Sequence, residues 1–146
     1  MIYALALGWA SLLSGAESAI EAKDGRARML EFRDAVQTNI RAECRDQLAP
    51  IVAAIRYAEN GGPGRQYGVL HPRARGYRSQ AGWCAATVQK NWDRWRKAGS
   101  PGDFIDFLGN RYCPVGADND PDGLNRHWNK NVRHFVARFD NDPSNL

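Results

Sequence analysis

The sequence predicts an all-α fold of about six helices, α+β at most. Apolar residues recur at helical spacing along most of the chain. Gly- and Pro-containing segments separate these stretches. A length of 146 residues with 43% hydrophobic and 25% charged content suits one soluble domain with a real core.

Residues 2–22 read as the first helix. Its start, the apolar segment 2–13, is about 12 residues long, short of the roughly 20 that span a bilayer. Small Ser14, Gly15 and Ala16 follow it as they would in a secretory signal, but no Lys or Arg precedes Lys23. Residues 26–46 read as a charged second helix with Met29, Phe32, Val36 and Ile40 on one face. The third covers 47–59, with a true start near residue 49 because Pro50 suits a first turn.

Residues 60–79 contain five glycines and two prolines and form a long loop, with room for a small β-hairpin near 65–78. Helix four is expected over 80–98, and helix five over 103–111 behind the start signals Pro101 and Asp103. Helix six is expected from Leu124 to about Phe139. In domain terms, 1–46 are N-terminal helices, 47–140 the core and 141–146 a tail that frays.

The net charge of +4 and a pI near 9.2 favour polyanionic partners: nucleic acid, an anionic membrane or the bacterial cell wall. Cys44, Cys84 and Cys113 have no zinc-like spacing and read as free, mostly buried thiols, with one disulfide as the alternative in an exported chain. Asp118-Asn119-Asp120-Pro121-Asp122-Gly123 has the look of a calcium-loop start, but position twelve is Asn129, so it reads as an acidic turn. His71, His127 and His134 lack ligand spacing. No cofactor or metal is expected.

Glu59 is the most informative residue. Leu48, Ile51, Val52 and Ile55 form an apolar stripe, and Glu59 is its next step. Asn60-Gly61-Gly62-Pro63-Gly64 then ends the helix. A carboxylate there is costly unless it is paired, hydrogen-bonded or protonated, and it opposes the helix dipole. A half-buried acid beside an open turn is what a general acid for glycoside cleavage requires.

Ala54-Ile55-Arg56-Tyr57-Ala58-Glu59-Asn60-Gly61 followed by Gly64-Arg65-Gln66-Tyr67-Gly68-Val69-Leu70 resembles the catalytic stretch of the lysozyme-like peptidoglycan hydrolases. That group includes lytic transglycosylases, goose-type lysozymes and bacterial endo-β-N-acetylglucosaminidases. Ala85-Ala86-Thr87-Val88, then Phe107 to Tyr112 with Pro114, Leu124-Asn125 and Trp128 to Val132, resemble its later segments, so the likeness covers about residues 50–139. It implies a lysozyme-like helical domain that cleaves β-1,4 bonds of peptidoglycan at the cell wall, with Glu59 as general acid. A phage or prophage lysin and a wall-remodelling enzyme both suit it.

Between Glu59 and residue 92 there is no Asp or Glu. Two routes stay open: a lytic-transglycosylase or muramidase type in which Glu59 acts largely alone, and a glucosaminidase type in which a distant group such as Tyr112 steadies the oxocarbenium face. Gln66, Tyr67, Tyr77, Gln80, Tyr112, Trp128 and Asn131 are the candidate sugar-binding residues. Trp83, Trp92 and Trp95 read as core. The expected partner is the glycan strand, engaged by a monomer, with no nucleic acid and no stable membrane span. A non-catalytic wall-binding or virion structural module is the rival from another class.

Overall fold

The computed structural model describes residues 12–59 and 61–141. The fold is all-α, as expected: the described residues form six α-helices, α1 (Gly15–Asp24), α2 (Arg26–Asn39), α3 (Arg45–Ala58), α4 (Tyr77–Lys97), α5 (Phe104–Tyr112) and α6 (Trp128–Asn141). Short 3-10 turns at Ala42–Cys44 and Leu124–His127 lead into α3 and α6. No strand occurs among the described residues, and where a hairpin had room over 65–78 the chain makes turns up to Gly76 and then enters the fourth helix.

Several boundaries differ from the sequence expectation. The signal-like segment lies almost wholly outside the described residues, as does most of the tail. The first described helix begins only at Gly15, because Ser14 caps it: Ser14 Oγ accepts from the Glu17 amide, and the Glu17 carboxylate accepts from the Ser14 amide. The second helix stops at Asn39, where Ile40 turns extended. The third begins at Arg45 and carries Pro50 within it. Leu48 and Ile51, buried on either side of that proline, hold the helix through it. The fourth starts earlier than expected, at Tyr77 behind Gly76.

Helix α3 is the centre of the molecule. Leu48, Val52, Ala53, Ala54 and Ile55 are all buried, and α1, α2, α4 and α6 each touch it. Burial all around a helix marks a core position. Helices α2 and α4 pack along each other on one side. On the other side α6 lies along α3, where Tyr57 packs against Phe135 and Phe139. Trp92 and Trp95 of α4 close on Phe104 of α5, which gives these two tryptophans the core role expected of them. No described helix is long and apolar enough to cross a membrane.

Candidate active site

Glu59 sits at the C-cap of α3 with extended backbone (φ −89°, ψ 110°). Its amide donates to the Ile55 carbonyl at 2.8 Å, so the backbone finishes the helix while the side chain swings off its axis. The carboxyl group then meets two neighbours distant in sequence. Trp128 Nε1 donates to Glu59 Oε1 at 3.2 Å. Gly68, at φ +69°, passes so close that a Cβ there would lie 2.6 Å from Oε2. The Tyr67-Gly68-Val69 turn thus needs glycine twice over, for its backbone angle and for the space.

Desolvation by this packing raises the Glu59 pKa above the usual carboxylate value, and the Trp128 hydrogen bond offsets only part of the rise. The dipole conflict at the helix end is eased by Arg56 in the last turn, whose guanidinium donates to the Glu59 carbonyl at 3.4 Å.

The carboxyl group faces an open cleft of about 490 Å³. One wall is the loop carrying Gly61, Arg65, Gly68, Val69 and Leu70; the other is formed by Arg111, Tyr112, Cys113, Pro114, Asn119 and Asn125, with Thr87 of α4 also on the lining. Glu59 is the only carboxylate among these residues. The second wall is shaped by Asp120, a buried member of the expected acidic turn. Its Oδ2 accepts from the Gly116 and Asn125 amides, each at 3.1 Å, and Asn125 Nδ2 donates to the Pro114 carbonyl at 2.9 Å. Asp120 is therefore committed to folding the turn. Among the described residues no group of three or more His, Cys, Asp or Glu is placed to hold a metal ion.

Most of the residues expected to touch sugar stand behind the cleft. Gln80 is fully buried and ties down the first wall: Oε1 accepts from the Tyr67 and Val69 amides at 3.3 and 3.2 Å, while Nε2 donates to the Val69 and Ala74 carbonyls at 2.9 and 2.6 Å. All of its hydrogen-bonding capacity on both atoms is directed at the chain.

Tyr67 and Tyr77 are also buried, with their hydroxyls 2.9 Å apart. Tyr77 donates onward to Asp24 at 2.7 Å, and Asp24 forms a two-pronged ion pair with Arg56 at 2.8 and 2.9 Å. This buried line links the loop to α1 and to the last turn of α3.

Trp128 is 5% exposed and stacks on Tyr112 (centroids 5.4 Å, 24° between planes), so its ring has no free face and only its N–H serves the site. Tyr112 is the one aromatic of the expected set that lines the cleft. Its hydroxyl donates to the Tyr67 carbonyl, joining the two walls. Gln66 is half-buried, and its Oε1 has no hydrogen-bond partner among the described residues. Asn131 is exposed on α6 and does not line the cleft.

Three features were missed or misplaced. Arg111 and Cys113 line the second wall, and nothing local in the sequence marks either one. Trp83, read as core, is 38% exposed. The cysteines are all free thiols. Burial pushes Cys84 up to about 12 and Cys113 to about 11, so both are protonated at neutral pH.

Comparisons with protein-family models, with curated proteins and with solved structures find no match.

Proposed function

We propose that this protein cleaves β-1,4 glycosidic bonds of bacterial peptidoglycan, with Glu59 as the general acid. The observation that carries the reading is the single carboxyl group of the cleft, held at a helix end by Trp128 and kept proton-retaining by desolvation. A carboxyl group with a raised pKa can hold its proton toward neutral pH and deliver it to a leaving glycosidic oxygen. Departure of that oxygen leaves an oxocarbenium-like sugar. The resulting carboxylate can then take a proton from the incoming nucleophile.

Paired-carboxylate schemes place the second group within about 5–10 Å of the first. Among the described residues lining the cleft, Glu59 is the only carboxylate. That favours the route in which Glu59 serves as acid and then base and a hydroxyl of the sugar itself closes the ring. The Tyr112 hydroxyl gives its proton to the Tyr67 carbonyl and keeps its oxygen lone pairs, so the glucosaminidase route with Tyr112 as stabiliser stays the alternative that the digest must separate.

The test is lysis of purified walls by wild type and Glu59→Gln. The variant is expected to fold, to bind walls and to lose clearing. Mass spectrometry of the digest then reads an anhydro sugar end for the single-acid route and a reducing end for hydrolysis. Equal clearing by both proteins rejects Glu59 as the acid; binding with no clearing by either rejects the enzyme reading and leaves a wall-binding or structural module.

A further inference from the structure

We propose that Trp83 and His71 form a glycan-stacking shelf that extends the cleft beyond Glu59; the inference rests on the reading of that cleft as a glycan site. The two rings are stacked with centroids 4.2 Å apart and 20° between planes. This pair is built, not incidental. The Arg73 amide donates to His71 Nδ1 at 3.1 Å, fixing the imidazole. Trp83 stands on the rigid helix α4, and the pair stays open to solvent, with the indole 38% exposed.

The shelf is continuous with the cleft. Leu70, 62% exposed and next to His71 in the chain, lines both the Glu59 cleft and an adjoining recess of about 540 Å³ that also touches His71. Thr87, one turn beyond Trp83 and about 6 Å further along the axis, lines the cleft as well. Trp83 also borders a groove of about 400 Å³ with Asn39 and Ser79 on its lining; Asn39 Nδ2 and Ser79 Oγ donate to the Ala35 and Arg73 carbonyls at 2.9 and 3.1 Å, which leaves their oxygens as acceptors. A surface that runs from a proton donor over an exposed ring pair to a groove with amide and hydroxyl groups suits a long, unbranched polymer.

Sugar fits this surface better than other polymers. A pyranose ring has apolar C–H faces and a polar hydroxyl edge, so it buries one flat face on an indole and keeps its edge wet. Single-stranded nucleic acid instead wants successive aromatics and a row of unpaired cations. Here there is one ring pair and no succession of aromatics; Arg65 and Arg75 line the adjoining recess, so single-stranded DNA is the competitor that the binding test includes.

The experiment measures binding to purified peptidoglycan sacculi by co-sedimentation in the Glu59→Gln background, where no cleavage can intervene. Adding Trp83→Ala is expected to weaken binding about tenfold, while Trp83→Phe keeps most of it. Because the indole is partly exposed, both variants should melt within about 3 °C of the parent. Unchanged binding by Trp83→Ala overturns the shelf. So does equal weakening by Ala and Phe, or Trp83-dependent binding to mixed-sequence single-stranded DNA with none to sacculi. The two readings fail separately: clearing by wild type with unchanged Trp83→Ala binding removes the shelf alone, whereas Trp83-dependent binding with no clearing by wild type removes the enzyme reading and leaves the shelf as a binding site.

Discussion

Trp128 donates its indole N–H to the Glu59 carboxylate across 69 positions of sequence. The bond joins the first residue of α6 to the cap of α3 and steadies the one acid of the cleft. It also opposes the desolvation that raises the pKa of that acid.

Replacing Trp128 by Phe removes a donor that favours the charged carboxylate. The Glu59 pKa therefore rises further. A general acid works while protonated, so the rate falls as pH climbs through its pKa. The alkaline limb of the pH–rate profile is expected to move to higher pH in Trp128→Phe, with a rate loss at the optimum of about tenfold or less. A limb that stays put or moves to lower pH contradicts the arrangement.

Stability offers a test that needs no substrate. Glu59 has a folded-state pKa above its unfolded value, so the folded protein prefers the protonated form. Its contribution is most favourable below the unfolded value of about 4.3 and is lost as pH rises through the folded pKa. Glu59→Gln, which carries no charge to desolvate, should melt higher than wild type at pH 7. The gap should shrink as pH is lowered toward 4, as read by calorimetry. A variant less stable than wild type at pH 7 speaks against desolvation as the dominant effect.

Gly68→Ala places a methyl group against the Glu59 carboxylate and forces a side chain into a positive-φ turn. The expected cost is about 1–3 kcal/mol in urea unfolding. Lysis should fall by more than the folded fraction does, because the acid itself is displaced. Retained lysis at wild-type stability would show that the two groups are not in contact.

Gln80→Leu keeps the volume but strips four hydrogen bonds from the first wall. It leaves the Tyr67 and Val69 amides without their partner and should cost about 2–4 kcal/mol. Limited proteolysis should then cut within 61–74 before it cuts elsewhere. Cleavage first in α2 or α4 would show that Gln80 does not anchor this loop.

Much of this architecture is legible in the chain itself. The all-α class follows from apolar spacing and from Gly/Pro interruptions, both of which act over a few residues. The same local signals place Glu59 at a helix end with an open turn after it, and they give α5 its Asp103 cap. Composition likewise foretells the buried free cysteines Cys44 and Cys84.

Tertiary packing decided what each side chain faces. Periodicity marks an apolar stripe but does not say which neighbour covers it, so Trp83 and Trp92 look alike in sequence, yet one opens to solvent and the other packs on Phe104. Tyr67, Tyr77 and Gln80 have the chemistry of sugar ligands, but the turn above α4 folds over them and turns their polar atoms inward. Glu59 has no acidic neighbour within reach in the chain, and only the approach of α6 supplies its partner. Hydrogen bonds between distant segments depend on how helices meet, and that is settled by the core as a whole.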